Sequence, residues 1–426
     1  MNLKQELEER GFLYQFSDEK LFEVFEKGNE ALYCGTDPTA DSLHIGHLIP
    51  VMAAVNFMKK GNKFYFLVGG ATGMIGDPSG KDSERSFLNE ESLNNNQKAI
   101  YNQLSNLFKN LEKASGIKFE FEVINNIDFY KNMSVLEFLR DCGKYITVNS
   151  MMNKETVKKR IEDPDKSISY TEFSYMLLQG FDFYKLYEEK NIKLQIGGSD
   201  QWGNLVTGVE IIRKKIDKQG FVMTLPLVTD ANGKKFGKSE GNAIWIDKNK
   251  STPYFIYQYF MNTADEDVEK YLKLLTLMSF EQINEIVDKH NEKPELRNGQ
   301  KALAFNIIQT IHGQEDALQA EKISEILFGN SDKLELLKSM NDNEISALEK
   351  ETGGTIFNPE LLETLVSSGL FSSKGEARKM VQSGGVYLNE EKVTDPNYVL
   401  GDKDLINGKY ALIRKGKKSY KLIRKI

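Results

Sequence analysis

Between residues 31 and 228, short apolar runs alternate with longer segments in which apolar positions recur every three or four residues. The short runs end at glycine or turn residues and predict β-strands at residues 31–35, 64–69, 119–124, 193–196 and 222–228. The longer segments predict helices at residues 47–60, 91–113 and 201–216. Strands that alternate with helices indicate an α/β fold with a parallel sheet, which binds ligands at the carboxyl ends of its strands.

The pattern changes in the second half of the chain. Residues 252–313 read as helices without a strand, and residues 324–354 are irregular and rich in charge. Beyond them, a helix at residues 372–383 is followed by the hairpin-like VYLNEEKV. The predicted division is an α/β domain at 1–230, a helical domain with a lysine-rich loop at 231–323, a linker at 324–355 and a small α+β module at 356–426.

The composition indicates a globular protein without disulfides. Hydrophobic residues make up 40% of the 426 residues, which is ample material for a core. The two cysteines, Cys34 and Cys142, exclude a disulfide framework and a cysteine-rich zinc site, and they favour a reducing cytosol. The apolar run at residues 48–55 is too short for a bilayer, which needs about 20 residues. We therefore expect a cytoplasmic protein without membrane association.

The charge is unevenly distributed. The net charge of −6 argues against a generally basic nucleic-acid binder. Residues 405–426, however, contain eight lysines and arginines and no acidic residue. A basic end on an acidic chain suggests a polyanionic partner for that end, with a solvated tail as the alternative.

The first predicted strand leads into His44-Ile45-Gly46-His47, which is followed at once by an apolar helix. The free N–H groups and positive dipole end of such a helix form an anion site. Gly46 allows the backbone to approach a ligand closely. A zinc site is the alternative, but no third ligand stands at metal spacing and the glutamate of HExxH is missing.

A second candidate site lies in the segment Lys234-Lys235-Phe236-Gly237-Lys238-Ser239. Closely spaced lysines with glycine and serine suit a mobile loop that contacts phosphates, and solvated surface lysines are the alternative. Neither a Walker loop nor a dinucleotide-binding GxGxxG is present. Together, HIGH and KFGKS, which departs from KMSKS at its second and third positions, resemble the signature motifs of the class I aminoacyl-tRNA synthetases.

A third feature is the spacing of Tyr175, Gln179 and Asp182, which fall at i, i+4 and i+7 of a helical segment and therefore share one face. Their neighbours are largely apolar. A carboxylate and an amide in such a helix either face water as a polar stripe or hold a specific ligand.

Three segments carry a closer resemblance: YCGTDPTADSLHIGHL, YTEFSYMLLQGFDF and LQIGGSDQWGN. They resemble the bacterial tyrosyl-tRNA synthetases, and the likeness covers nearly the whole chain. It implies a Rossmann-like parallel-sheet catalytic domain, an α-helical domain and a small α+β S4-like RNA-binding domain. It also implies a homodimeric tyrosine–tRNA ligase that activates L-tyrosine with Mg²⁺ and ATP and charges tRNA(Tyr), with no tightly bound cofactor or zinc.

The resemblance also implies roles for individual residues. The tyrosine-binding residues are Tyr33 and Asp182 at the phenolic hydroxyl and Asp77, Tyr175, Gln179 and Gln201 at the ammonium group. The catalytic residues are Thr39, His44, His47, Lys235, Lys238 and Ser239, with Lys81 and Arg85 on a loop that closes over pyrophosphate. The ATP-binding residues are Cys34, Gly35, His44, Gly46, His47, Gly198, Asp200 and Lys238.

For tRNA, we expect contacts from Lys374 and Arg378 on the helix of the C-terminal module and from Arg414 in its basic strand region. Arg213 and Lys214 are further candidates. They end a helix, and complementing its dipole would explain them without RNA.

Two alternatives remain open. A nucleotidylyltransferase or a tryptophanyl ligase shares HxGH-type ATP handling, but the pairing of Asp182 with Tyr33 speaks against both. A non-enzymatic RNA-binding protein on the same scaffold would have no reason to retain the phosphate-binding motifs.

Overall fold

The computed structural model describes the chain except residues 79–89, 164, 166, 231–232, 234–235, 240–241, 330, 417–418 and 426, and the side chains of residues 90, 156, 238, 239 and 242. The described residues form two compact units. The first holds Met1–Thr252 and Tyr259–Gly313, and the second holds Pro253–Gln258 and Gln314–Ile426.

A six-stranded sheet forms the centre of the first unit. Its strands are β1 (Gln15–Phe16), β2 (Ala31–Thr36), β3 (Lys63–Val68), β4 (Phe121–Asn125), β5 (Ile192–Gly198) and β6 (Phe221–Leu225). Strands β2 to β6 run parallel, and β1 pairs antiparallel with β6 at one edge. The predicted α/β class and its five strands are confirmed. The additional strand β1 has only two residues, too few to give a periodic pattern.

Helices cover this sheet. They are α1 (Leu3–Arg10), α2 (Lys20–Glu26), α3 (Leu48–Met58), α4 (Glu90–Ser115), α5 (Ile127–Tyr130), α6 (Val135–Asp141), α7 (Val148–Met152), α8 (Glu155–Glu162), α9 (Tyr170–Lys190) and α10 (Trp202–Ile216). The three predicted helices correspond to α3, α4 and α10. Ser169 caps the N-terminus of α9 and forms a reciprocal capping box with Glu172, and Asn191 caps its C-terminus in the left-handed conformation.

The strand order fixes where a ligand can bind. Across the sheet the order is β1-β6-β5-β2-β3-β4, so the direction of winding reverses between β2 and β5. Open parallel sheets bind ligands at such a switch point, outside the carboxyl ends of the strands. Here that position lies next to Thr36 at the end of β2 and Gly198 at the end of β5.

The chain continues after the sheet into a small hairpin and a set of helices. These are β7 (Lys238–Ser239), β8 (Asn242–Ala243), α11 (Pro253–Met261), α12 (Asp265–Leu275), α13 (Phe280–Glu292) and α14 (Asn298–His312). The predicted helical character of residues 252–313 is confirmed. Among the described residues, no helix is both long enough and apolar enough to cross a bilayer.

The prediction of an irregular linker at residues 324–355 is wrong. The segment contains the end of α15 (Gln314–Phe328), then α16 (Lys333–Lys338), α17 (Asp342–Thr352) and β9 (Gly354–Ile356). Leu337 and Ile345 from these helices pack with Leu412 and Leu422 in a core of the second unit. The helices are short and their outer faces are charged, which hides the apolar period in the sequence.

The rest of the second unit is a small α+β fold, as predicted. Its elements are α18 (Leu361–Ser367), α19 (Lys374–Gln382), β10 (Val386–Leu388), β11 (Glu391–Val393), β12 (Tyr410–Lys415) and β13 (Ser419–Arg424). The sheet order is β11-β10-β12-β13-β9. The predicted hairpin is confirmed, and its turn residues Asn389 and Glu390 both have positive φ, at 49° and 68°, as a type I′ turn requires.

Candidate active site

A cavity of about 400 Å³ opens at the carboxyl ends of β2 and β5. This volume suits a small-molecule ligand. Most of the residues that the sequence analysis assigns to tyrosine and ATP line it, namely Tyr33, Cys34, Gly35, Thr39, His44, Gly46, His47, Asp77, Tyr175, Gln179, Asp182, Gly198, Asp200 and Gln201. The structure therefore brings these residues together at the switch point of the sheet.

The inner end of the cavity holds Tyr33 from β2 and Asp182 from α9, both essentially inaccessible to solvent. The Tyr33 hydroxyl has no hydrogen-bond partner among the described residues. Asp182 accepts a hydrogen bond at each carboxyl oxygen, from the Asn126 amide over 2.8 Å and from the Tyr130 hydroxyl over 2.7 Å. An unpartnered buried hydroxyl beside a fixed carboxyl group is costly unless a ligand completes the arrangement.

The protonation of this inner end follows from its burial. Burial raises the pKa of Asp182 to about 7, the hydrogen bonds from Asn126 and Tyr130 oppose the rise, and the Asp37 carboxylate adds to it. Burial, and then the charge on Asp182, raise the pKa of Tyr33, so its phenol stays neutral. A ligand therefore meets a neutral hydroxyl and a carboxyl group that titrates near neutral pH.

A second group of polar side chains surrounds the middle of the cavity. Gln201 donates to Asp77 over 2.8 Å, and the Tyr175 hydroxyl donates to Asp37 over 3.1 Å. The side-chain oxygen of Gln179 is buried and has no hydrogen-bond partner among the described residues. Burial and the neighbouring carboxylates, first Asp37, raise the pKa of Tyr175, which keeps it a neutral donor.

The electrostatic character of the lining is negative. Four aspartates, at positions 37, 77, 182 and 200, are among the described lining residues, and none of these lining residues is lysine or arginine. Such a wall favours a cationic group on the ligand. A bound phosphate would need its positive partners from elsewhere, and Lys81, Arg85, Lys235 and Lys238 remain the candidates that the sequence predicts.

The HIGH tetrapeptide forms a short 3₁₀ turn, Ile45–His47, directly before α3. The backbone N–H of His44 donates to Nδ1 of His47 over 3.1 Å, so the proton of His47 is on Nε2, which lies 3.3 Å from the Thr36 hydroxyl. The two imidazole rings stack with centroids 3.8 Å apart. Both rings are thereby held at the cavity wall, beside the first turn of a buried helix.

The KFGKS segment runs beside HIGH. The Ile45 N–H donates to the Ile244 carbonyl over 2.9 Å, and Phe236 is buried against Tyr271 with ring centroids 5.0 Å apart. Gly237 has φ +83°, and a Cβ there would lie 3.1 Å from the Gly46 nitrogen. Lys81, Arg85 and Lys235 lie outside the described residues, and for Lys238 and Ser239 only the backbone in β7 is described.

The opposite wall of the cavity is suited to an aromatic base. Leu225 ends β6, Leu227 and Val228 follow it, and the three give this part of the cavity an apolar surface next to Gly198 and Asp200. Burial raises the pKa of the Cys34 thiol, which keeps it neutral and unreactive. The arrangement could accommodate a planar apolar group beside a carboxylate, and sequence analysis did not find the leucines because no motif marks them.

Sequence analysis missed four other residues that contact the candidate site residues. Asp37 directly follows β2 and Asn126 follows β4, and polar residues at strand ends are a signal that would have found both. Thr72 donates to Asp37 over 2.8 Å. Tyr130 ends the four-residue helix α5, and no sequence pattern connects it with Asp182.

The tRNA candidates lie outside the cavity lining. On α10, Lys214 donates to the Tyr145 carbonyl over 2.7 Å and pairs with Glu210 over 2.7 Å, so local contacts engage its ammonium group. In the second unit, Lys374 pairs with Glu363 and Glu360, Arg378 is exposed, and Arg414 pairs with Glu390. The tRNA contacts expected of these residues and of Arg213 remain predictions.

Within the described part of the chain, no group of three or more His, Cys, Asp or Glu side chains converges on a point where a metal ion would sit.

Two family models match the chain. Residues 26–329 match the model described as tRNA synthetases class I (W and Y), and residues 345–423 match that of the C-terminal domain of SYY-like tyrosine–tRNA ligases. The two matches together include most of each compact unit.

Individual relatives agree. The tyrosine–tRNA ligase of Streptococcus suis (strain 98HAH33) is 45% identical over 428 residues, which cover 99% of this chain and all of the relative. That of Streptococcus uberis is 46% identical with the same coverage. Among solved structures, the C-terminally truncated mitochondrial tyrosyl-tRNA synthetase of Aspergillus nidulans superposes with a TM-score of 0.70 at 31% identity, covering 77% of this chain and 94% of that one.

Proposed function

The chain belongs to the class I tRNA synthetases and, within them, is a tyrosine–tRNA ligase, and from this premise we propose which residues recognise tyrosine, ATP and tRNA. The observation that carries the proposal is the unpartnered, buried hydroxyl of Tyr33 beside the doubly hydrogen-bonded Asp182. A phenol placed there satisfies both groups, because it accepts from Tyr33 and donates to Asp182.

This geometry favours tyrosine over phenylalanine. A site built around a hydroxyl leaves its own buried polar groups unpaired when the ligand lacks that hydroxyl. The rule was established on tyrosyl-tRNA synthetases themselves, which reject phenylalanine by roughly 10⁵. Tyr33 and Asp182 then supply the discrimination on binding.

The ammonium group of tyrosine binds near the middle of the cavity. Asp77, held by Gln201, supplies a carboxylate, and Gln179 offers its unpartnered oxygen. Tyr175 has its hydrogen committed to Asp37 and so presents its oxygen to the ammonium group. Three acceptors of this kind suit the three N–H donors of an ammonium group.

In the first step, a carboxylate oxygen of tyrosine attacks the α-phosphorus of ATP, the bond to the β-phosphate breaks, and pyrophosphate leaves with its electrons. The nucleophile is already ionised, so no general base is needed. Catalysis rests on positioning and on stabilising the charge that develops on the phosphates. We assign that stabilisation to Thr39 and His44, to the cationic side chains of Lys81, Arg85, Lys235 and Lys238, and to the Ser239 hydroxyl.

The nucleoside occupies the remaining wall. Cys34, Gly35, Gly46, His47, Gly198 and Asp200 meet the ribose and the base, with the apolar residues after β6 behind the base. Mg²⁺ enters as part of the substrate MgATP, since this ion keeps several waters and is held through substrate phosphates with one or two carboxylates.

In the second step, a hydroxyl of the terminal ribose of the tRNA attacks the carbonyl carbon of the adenylate, and AMP leaves. We propose that the second unit binds the tRNA backbone through Lys374, Arg378 and Arg414, with Arg213 and Lys214 as further contacts. The exposed Arg378 and the basic strands β12 and β13 support this.

We also propose a cytoplasmic homodimer. The support is a set of exposed apolar side chains between residues 135 and 170, in which Val135 is 73% and Leu136 is 79% exposed. The set consists of Val135, Leu136, Leu139, Val148, Met152, Ile161 and Tyr170. A second copy of the chain would cover them, and sedimentation equilibrium that finds only monomers would contradict this.

The experiment that tests the proposed specificity is ATP–pyrophosphate exchange with each of the twenty amino acids. We expect exchange with tyrosine alone. Equal exchange with phenylalanine or tryptophan would contradict the assignment of Tyr33 and Asp182 to the phenolic hydroxyl.

A further inference from the structure

Beyond these roles, we infer that Tyr130 is a positioning residue for tyrosine recognition, which holds the Asp182 carboxylate in the orientation and ionisation that a substrate phenol requires. The inference rests on the proposed function of Asp182. Tyr130 does not line the cavity, so it acts on the substrate through its neighbour.

The contacts fix the carboxylate from two sides. The Tyr130 hydroxyl lies 2.7 Å from Oδ1 of Asp182, and the Asn126 amide lies 2.8 Å from Oδ2. Asn126 is itself anchored, because it donates to Thr72 over 3.0 Å and accepts from the Ala71 N–H over 2.7 Å. The plane of the carboxylate is therefore set before substrate arrives, and rotating it would break both hydrogen bonds.

The Tyr130 hydroxyl has one hydrogen and two acceptors. Besides Asp182, it lies 2.8 Å from the Leu178 carbonyl oxygen of α9. When Asp182 is ionised, donation to its oxygen is charge-assisted and stronger than donation to a carbonyl. When Asp182 is protonated, it donates to Tyr130, whose hydrogen then turns to Leu178. Every hydrogen of the pair has an acceptor in both protonation states, but the Tyr130 hydrogen bond stabilises the ionised state of Asp182 more.

The ionised state is the one that binds. A carboxylate accepts the hydrogen of the substrate phenol, whereas a protonated Asp182 that donates to Tyr130 keeps fewer acceptor sites for it. The substrate in turn accepts from Tyr33, which stays neutral. Loss of the Tyr130 hydrogen bond should therefore weaken tyrosine binding most strongly at low pH.

The groups that face Asp182 define the pH response. Burial brings the pKa of Asp182 to about 7, and the titratable side chains around it are Asp37, Tyr33, Tyr130, Tyr175 and Cys142. Burial raises the pKa of each of these phenols and of the Cys142 thiol, so they stay neutral. Among these groups, only Asp37 and Asp182 can then carry charge. The Tyr130 hydrogen bond lowers the pKa of Asp182, so removing this donor raises that pKa further.

The test is Tyr130→Phe, which removes only the hydroxyl from a ring packed against Phe138 and Phe181. In ATP–pyrophosphate exchange we expect the KM for tyrosine to rise roughly tenfold at pH 7, which is the range of a charge-assisted hydrogen bond. The kcat at saturating tyrosine and the KM for ATP should stay within about twofold. The acid limb of kcat/KM for tyrosine should move to higher pH.

The matched control is Tyr184→Phe. Tyr184 is a buried tyrosine on α9 whose hydroxyl donates to Glu188, away from the cavity. It should leave the KM and the acid limb unchanged, while thermal unfolding of both variants reports any general loss of stability. Equilibrium dialysis of tyrosine gives the same comparison without catalysis.

The outcomes separate this inference from the function on which it rests. If Asp182→Asn leaves the wild-type acid limb and the preference over phenylalanine intact, the role of Asp182 itself is wrong. If Asp182→Asn abolishes both but Tyr130→Phe matches wild type in KM and acid limb, only the role of Tyr130 is overturned. An equal change in Tyr130→Phe and Tyr184→Phe would also overturn it, since a general structural effect would then explain both.

Discussion

The phenolic hydroxyl of Tyr175 lies 3.1 Å from a carboxylate oxygen of Asp37, so that a residue of α9 donates to the end of β2. Thr72 donates to the other oxygen of Asp37 over 2.8 Å. This carboxylate also lines the cavity and accepts from Tyr175, one of the side chains to which we assign the substrate ammonium group. The negative charge at that end of the cavity therefore comes from Asp37 as well as from Asp77.

Asp37→Asn tests this charge. We expect the KM for tyrosine to rise roughly tenfold, because the ammonium group loses a carboxylate in a partly buried site. The Asp37 charge helps to raise the pKa of Asp182, so its removal should move the acid limb of kcat/KM to lower pH, the direction opposite to Tyr130→Phe. The measurement is pyrophosphate exchange from about pH 5.5 to 9.

The control is Asp128→Asn, which removes an exposed charge on α5 that pairs with Lys131. It should change neither the KM nor the acid limb. An unchanged KM in Asp37→Asn would show that Asp37 does not contribute to the ammonium site.

Tyr33→Phe should separate specificity from stability. The Tyr33 hydroxyl is buried and has no hydrogen-bond partner among the described residues, so its removal should leave the free energy of unfolding equal or slightly higher. The preference for tyrosine over phenylalanine should fall about tenfold, because the substrate phenol loses its donor. Thermal unfolding and exchange with both amino acids measure the two effects.

Tyr410→Phe is the reciprocal control. Its buried hydroxyl donates to the Leu337 carbonyl over 2.6 Å in the second unit, so this variant should lose about 1 kcal/mol of stability and keep its amino-acid preference. A Tyr33→Phe variant that is destabilised as strongly would show that its hydroxyl has a structural partner.

The sequence predicts the sheet and the motifs well for a physical reason. The five predicted strands are short, mostly apolar runs, and HIGH lies between the end of β2 and the start of α3, so local pattern and position suffice. The helices at residues 333–338 and 342–352 were missed because each is only two or three turns long and charged on its outer face.

The supporting residues of the site were harder to predict. Tyr130 lies 52 positions from Asp182 in sequence and meets it only through tertiary packing. Asn126 and Asp37 carry a weak local signal, as polar residues after strands, but their partners belong to other elements. Local sequence therefore identifies most of the groups that line the cavity, but not the groups that orient them through tertiary contacts.

Gly237→Ala tests the coupling between KFGKS and HIGH. An alanine at φ +83° is strained, and its Cβ would press on the Gly46 nitrogen from 3.1 Å. We expect kcat for exchange to fall roughly tenfold or more, because misplacing a catalytic loop is costly, while the KM for tyrosine changes little. Gly233→Ala is the matched control, since it also has positive φ, +76°, but no atom of the described residues lies within 4 Å of its Cβ. Equal losses in both variants would assign the effect to backbone strain alone.

A truncation tests the role of the second unit, and the bounds of that unit determine which residues should be removed. Removal of residues 356–426 would take Leu412 and Leu422 out of the core that they share with Leu337 and Ile345, and we expect that protein to aggregate. Removal of residues 314–426 takes away the whole contiguous part of the unit. This shorter chain should form tyrosyl-adenylate at a rate within a few-fold of wild type.

Charging of tRNA should respond differently from adenylate formation. The residues removed include β12, β13 and the exposed Arg378. Their lysines and arginines would no longer neutralise phosphates of the tRNA backbone. We therefore expect aminoacylation of tRNA to fall by at least about a hundredfold, as losing several phosphate contacts implies.

In the full chain, Arg378→Ala should weaken tRNA binding and flatten the salt dependence of that binding without changing ATP–pyrophosphate exchange. Loss of exchange in a folded 1–313 chain would show that the second unit takes part in tyrosine activation, because tRNA is absent from that assay.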